Sequence, residues 1–386
     1  MSTSRQRALI SFVVPDLASP ILGATTMLAG LVKNEYDVEI VGPDLGHGIC
    51  PMYRDTFPYR VVHAPRIYRF PEFFCDRAAI RRAVSGDIVV AMKAYANTVP
   101  VALAAQKRGA RAVVFMDEWD GAVLQELSAG QLIGRWVRNV HHPLEDIYFP
   151  MVERMIPRAD MVLSSSRFLQ RKFGGELLYP GVDTDAFAPV PAESVRALRR
   201  ELGLESARVI LFGGVVRPHK GVEQVLEALR ILGRKDCRFV IVGPDNEHVS
   251  ELRRDPSVRE FVVTLGSQRK EDMPRYLALA DVLVIPLADG LLAQSQTPCK
   301  VFEAMAMEKP IVASAVSDLP DILEGCGWTA PAGDAAKMAE RIAFVLDNPD
   351  EARDAGVAAR AKCIRSYSRV AMSQRMLGLM GALLKR

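Results

Sequence analysis

Short apolar runs separated by longer stretches of helical periodicity set the narrowest limits on how this chain can fold. In the first half, Ala8 to Val14, Val38 to Val41, Asp87 to Ala91, Arg111 to Met116 and Met161 to Ser164 read as strands. In the second half, Arg208 to Phe212, Arg238 to Val242, Phe261 to Thr264, Val282 to Ile285 and Ile311 to Ala313 do the same. Such alternation builds parallel sheets, because each parallel neighbour needs a crossover and the helix supplies it. After Lys220, for example, Val222, Val225, Leu226, Leu229 and Leu232 share one helical face that suits packing on a sheet. Between the two sets, YPGVDTDAFAPVP (Tyr179 to Pro191) gathers Pro, Gly and Asp, which favour turns, and reads as a linker. The expected fold is α/β, with two Rossmann-like domains facing across a cleft. The first spans residues 1–187 and the second 188–367. A final helix, 368–386, with Val370, Met376, Leu377, Met380, Leu383 and Leu384 as its apolar residues, is expected to cross back to the first domain.

The 386 residues allow two cores, in line with domains of ~100 to 200 residues. Lys and Arg outnumber Asp and Glu by only 49 to 46, which leaves no large basic field to gather nucleic acid. The six cysteines form no CxxC pair and no signal peptide precedes them, so free thiols and a cytoplasmic location are expected. The longest strongly apolar stretch, Met376 to Leu384, falls far short of the ~20 residues that span a bilayer.

Two segments carry candidate chemistry. In LFGGVVRPHKGVEQVL a strand ending at Phe212 runs into Gly213 and Gly214, then Arg217, His219 and Lys220 ahead of a helix. Glycines let an anion approach the backbone, helix-start N–H groups donate to it, and Arg and Lys neutralise its charge, as a diphosphate requires. A basic loop capping a sheet edge is the bland reading of the same residues. The GxxxxGK[ST] phosphate loop is excluded because Gly221 follows Lys220, and no GxGxxG follows the first strand, which disfavours a dehydrogenase. In SQTPCKVFEAMAMEKPIVAS, Thr297 is expected to cap a helix with Pro298 at its first position, freeing the N–H groups of Cys299 and Lys300 for an anion. Lys300 and Glu303 then share a helix face, and Glu303 can accept from ribose hydroxyls or simply favour the helix dipole in solvent.

With the linker, these segments resemble retaining glycosyltransferases of the GT-B fold, family 4, over nearly the whole chain and most strongly from Ala159 to Ser314. The shared pattern is YPGVDTDAFAP, a KG after the first C-terminal strand, FVIVGPD, TLG and EAMA-x-x-KPIVAS. The resemblance implies that Arg217 and Lys220 hold the donor diphosphate and Glu303 the ribose. It places Leu265 and Gly266 near the base and Gly23 near the phosphates. Gly214, Ser295, Thr297 and Lys300 complete the expected donor site. The implied reaction moves a sugar from a nucleoside-diphosphate donor, UDP or GDP, to an acceptor hydroxyl with retention. It needs no metal and no cofactor beyond the donor. The acceptor is a glycan, a lipid-linked group or a small molecule. Three positions depart from the family pattern: Ser295 stands where a Glu is common, Val215 where an Arg is usual, and FMDEWDG replaces a His-bearing turn.

Within that turn, Asp117 and Asp120 either orient the acceptor or act as a base, or else cap the next helix. His141 and His142 lack partners at metal-ligand spacing. From Arg54 to Arg82, seven arginines mingle with Tyr53, Phe57, Tyr59, Tyr68, Phe70, Phe73 and Phe74. This stretch docks on an anionic lipid surface, cradles an anionic acceptor, or is a solvated face over core aromatics. Beyond a transferase, the remaining readings are a GT-B relative such as an epimerase or phosphorylase, and a nucleotide-sugar binding module without catalysis.

Overall fold

The computed structural model describes residues 7–385. The chain divides into two compact units, one made of residues up to Gly181 together with those from Met372 onward, the other of Val182–Ala371. The division falls inside the turn-rich stretch. Val182 belongs to the second unit because it pairs with Ser368, donating to Tyr367 O at 3.1 Å and accepting from Arg369 N at 2.7 Å.

The first unit holds a seven-stranded sheet in the order β3-β2-β1-β4-β5-β6-β7. Its strands are β1 (Leu9–Val13), β2 (Asp37–Asp44), β3 (Tyr59–His63), β4 (Ile88–Met92), β5 (Arg111–Met116), β6 (Met161–Ser164) and β7 (Glu176–Leu177). The second unit holds six strands in the order β10-β9-β8-β11-β12-β13. These are β8 (Arg208–Gly213), β9 (Cys237–Val242), β10 (Val262–Thr264), β11 (Val282–Ile285), β12 (Ile311–Ser314) and β13 (Trp328–Ala330). Every pairing in both sheets is parallel. The central strands β4 and β11 are buried along their full length, because helices cover both faces of a parallel sheet. In the second unit the helix Val222–Leu232 sets Val222, Val225, Leu226 and Leu229 into a core with Ile210, Phe239 and Val284.

Three strands escape the sequence pattern. β3 is half-buried to exposed along its length, β7 has only two residues, and β13 closes the second sheet at its edge. Edge strands are not sandwiched on both faces, so they need no continuous apolar run. The last helix, Arg369–Lys385, buries Met372, Met376, Met380 and Leu383, whereas the apolar Val370 and Leu384 are exposed. The reason is phase: the buried residues recur every three or four positions and the two exceptions fall off that face. Ser373 Oγ donates to Leu31 O at 2.5 Å, and Arg375 lies 3.7 Å from Glu176, fixing this helix to the first unit.

Strand order reverses between β1 and β4 in one sheet and between β8 and β11 in the other. In open parallel sheets the loops leaving the carboxyl ends of such strands diverge and leave a crevice. Those loops hold the candidate residues. Among the described residues no helix is long and apolar enough to cross a membrane.

Candidate functional site

In the second unit, three adjacent strands end against one another through bare backbone. Gly214 N donates to Val242 O at 2.9 Å, and Gly243 N donates to Gly266 O at 3.0 Å. A Cβ on Gly243 would lie 2.0 Å from the Gly214 carbonyl oxygen, so only glycine allows this approach. Gly214, Gly243 and Gly266 thus form a row at the ends of β8, β9 and β10. Leu265 flanks it, donating its N–H to Ile241 O at 2.9 Å and accepting from Gln268 Nε2 at 2.6 Å. Sequence reasoning missed Gly243 as a site residue, although its place directly after a buried strand was the available signal.

The chain continues from Gly214 to exposed Arg217 and the single turn Pro218–Lys220. That turn is locked onto the end of β11. His219 O accepts from Ala288 N at 3.1 Å, and Gly221, at φ 63°, sits where a Cβ would be 1.7 Å from Pro286 O. Lys220 Nζ donates to Gln296 Oε1 at 3.1 Å, which brings the two sequence motifs together. Gln296 carried no signal of its own in the sequence.

The helix expected to start at Pro298 begins one residue later, as Cys299–Ala306. Pro298 is its N-cap, and no side chain caps it. Thr297 therefore does not cap: Pro298 has an extended ψ of 124°, and the Thr297 hydroxyl is buried with no hydrogen-bond partner among the described residues. The Ser317 hydroxyl, after β12, is likewise buried and unpartnered. Lys300 Nζ lies 2.8 Å from Glu303 Oε2, the i,i+3 pair expected from spacing, and the Glu303 side chain is only 14% exposed. Ser295 is fully buried, with its Oγ donating to Leu292 O at 2.8 Å.

In the first unit a second cluster forms where β4 and β5 end. Lys93, buried and at φ 65°, follows β4 directly, and Asp117, Glu118 and Asp120 follow β5. Lys93 Nζ reaches Glu118 Oε1 at 2.5 Å, Asp120 Oδ1 at 3.0 Å and Asp117 Oδ1 at 3.6 Å. Burial alone would lower the Lys93 ammonium's pKa, but the three carboxylates outweigh it and hold the group charged well above the ordinary lysine range. Burial is also the largest influence on Asp117. With repulsion from Glu118 and Asp120, and against the pull of Lys93, it pushes that carboxyl up to about 7. Asp120 is raised chiefly by burial, and so is the Tyr95 phenol.

The next helix, Ala122–Gln125, has Gly121 as N-cap and no side-chain cap, so Asp117 and Asp120 face Lys93 rather than capping it. Lys93 was missed in the sequence because nothing local links it to residues more than twenty positions away. A charge immediately after the fully buried β4 was the one usable sign. Gly23 lies near the start of helix Ile21–Val32, where a Cβ would meet Tyr53 Oη at 2.9 Å. Among the described residues no group of three His, Cys, Asp or Glu is placed to hold a metal ion. His142 Nδ1 instead contacts Tyr68 O at 3.0 Å.

Residues 207–348 match the family model for glycosyl transferases group 1. Among similar proteins is the GDP-mannose-dependent alpha-(1-6)-phosphatidylinositol monomannoside mannosyltransferase of Mycolicibacterium smegmatis, 32% identical over 219 residues, which are 52% of this chain and 57% of that protein. The alpha-D-kanosaminyltransferase of Streptomyces kanamyceticus is 29% identical over 174 residues, 43% of this chain and 44% of the relative. The chain thus spans about half the length of these relatives. Among solved structures, HepE of Anabaena in complex with UDP superposes with a TM-score of 0.76 at 15% identity, covering 97% of this chain and all of that one. Sucrose-phosphate synthase of Thermosynechococcus elongatus gives 0.77 at 18% identity, covering 98% and 100%. These likenesses establish the fold: two parallel-sheet α/β domains of GT-B type.

Proposed function

We propose, from the match of residues 207–348 to the glycosyl transferases group 1 model, that this chain transfers a sugar from a nucleoside-diphosphate donor to an acceptor hydroxyl with retention of configuration. The observation that carries the reading is the glycine row at the ends of β8 to β10 beside a lysine that bonds the second motif. Departure of the nucleoside diphosphate builds negative charge on its phosphates. Arg217, Lys220, the Thr297 hydroxyl and the N–H groups opening helix Cys299–Ala306 are suited to stabilise that charge. Glu303 accepts from the ribose hydroxyls, releasing Lys300 toward a phosphate. The base lies along Leu265 and Gly266. Attack on the same face of the sugar, with the leaving phosphate taking the acceptor proton, requires no enzyme nucleophile. Asp117 and Asp120 orient the acceptor hydroxyl. The nucleotide is UDP or GDP; one relative is named for GDP-mannose and one structural neighbour holds UDP.

Calorimetric titration with UDP, GDP, ADP and TDP tests the donor site, with Lys220→Ala as control. One clear binder, weakened in the variant, is expected. Absence of any binder tighter than ~1 mM would sink the reading. A second reading, a nucleotide-sugar binding module, is favoured by one observation: Ser295, where the family pattern often has a carboxylate, is fully buried. Donor binding with neither transfer nor hydrolysis across an acceptor panel would select it.

A further inference from the structure

We infer that the helix Ala129–Asn139 docks the protein on an anionic membrane surface, lying in the plane of the lipid headgroups. This helix is well formed yet buries none of its own residues. Its start is fixed by a capping box, Gln131 N donating to Ser128 Oγ at 3.4 Å and Ser128 N to Gln131 Oε1 at 2.9 Å. Its polar side is anchored by Arg135, whose Nη2 lies 2.5 Å from the buried carboxylate of Asp146. That anchor turns the opposite side outward. Leu132 is 40% exposed, Ile133 65%, Trp136 55% and Val137 59%, and at 100° per residue they form one continuous apolar stripe. A surface helix ordinarily turns such a stripe into the core, so a bare one marks a docking surface.

Charge identifies the occupant. From Leu127 to Pro143 the chain has no Asp or Glu but carries Arg135, Arg138, His141 and His142. The stretch Thr56 to Pro71 is equally free of acids and carries Arg60, Arg66 and Arg69, of which Arg60 pairs with Glu39 and Arg66 lies 3.9 Å from Glu72, leaving Arg69 to face outward. The fold brings the two together through the contact of His142 Nδ1 with Tyr68 O at 3.0 Å and the Tyr68 and His142 rings 6.2 Å apart. Tyr68, Phe70 and Phe74 add exposed aromatic surface there. Among the described residues neither Arg69 nor Arg138 has a carboxylate partner, and both are exposed. An apolar stripe that includes Trp136, with the exposed Arg138 on the same helix and Arg69 on the adjoining stretch, matches the chemistry of an anionic lipid surface. This property is independent of which sugar is transferred, or whether any is.

Flotation of the full chain with phosphatidylcholine vesicles, with and without phosphatidylglycerol, tests the inference. Binding is expected only with phosphatidylglycerol, weakening as salt rises, and with a blue shift of tryptophan fluorescence that Trp136→Ser abolishes. Ile133→Asp is expected to lower the bound fraction about tenfold or more while leaving the melting curve unchanged, since Ile133 is largely bare. Failure of the wild type to bind the anionic vesicles, or equal binding by Ile133→Asp, overturns the inference. So does a dimer, seen by light scattering, that Ile133→Asp dissociates, because the stripe would then belong to a second copy.

Discussion

Lys220 donates to Gln296 Oε1 at 3.1 Å, joining the turn that leaves β8 to the segment ahead of helix Cys299–Ala306, 76 residues further along. The bond ties the ammonium to the segment that opens helix Cys299–Ala306, the helix proposed above to face the donor diphosphate. Lys220→Ala is therefore expected to lower turnover at least about tenfold with donor saturating, because a charge that acts on the leaving group acts in the transition state. Gln296→Ala, which removes only the tether, is expected to cost less than Lys220→Ala. Steady-state kinetics on both variants check this, and near-normal turnover in Lys220→Ala would remove the residue from the mechanism.

Gly221 is expected to tolerate no side chain. Its φ is 63° and a Cβ would lie 1.7 Å from Pro286 O, a clash with backbone that no rotamer change relieves. Gly221→Ala should destabilise the second unit by ~3 kcal/mol or more, combining left-handed strain with displacement of the β11 end. Urea unfolding followed by fluorescence measures the loss. A loss below ~1 kcal/mol would mean that the turn shifts freely.

Lys93 lies within ion-pairing distance of all three carboxylates Asp117, Glu118 and Asp120. Lys93→Met should remove the cation shared by the three carboxylates and cost roughly 2–3 kcal/mol, below the full figure for a buried pair because the carboxylates remain about a quarter exposed. Adding Asp120→Asn to Lys93→Met should restore part of the loss. A double variant no more stable than the single one would show that solvent already relieves the repulsion.

What the sequence makes legible follows from locality. Strands such as β11 lie between helices and declare themselves by unbroken apolar runs, whereas β3 sits at a sheet edge and has no such run. Lys300 and Glu303 meet because three residues make nearly one helical turn, so spacing alone anticipates their ion pair. Lys93 meets Asp120 only because β4 and β5 are neighbours in the sheet, and that depends on strand order, which no local pattern encodes. The apolar stripe of helix Ala129–Asn139 shows the same limit: periodicity can describe the stripe, but only tertiary packing decides whether anything covers it.

Asp117 gives the last expectation its sign. Burial, with repulsion from Glu118 and Asp120, holds its carboxyl up near 7, whereas in the unfolded chain it titrates near its ordinary 3.8. Between those values the folded protein retains a proton that the unfolded chain has lost, so this group's contribution to stability falls as pH rises through that window and stays low above it. Asp117→Asn removes the penalty. It should therefore raise the melting temperature more at pH 8 than at pH 5, by about 2 to 4 °C for each ~1 kcal/mol in a unit of this size. If Asp117 also orients the acceptor, the same variant should lose activity while gaining stability. Thermal unfolding of both proteins at the two pH values decides the first point. An equal shift at both would mean that Asp117 is already ionised at pH 5 and that Lys93 dominates its surroundings.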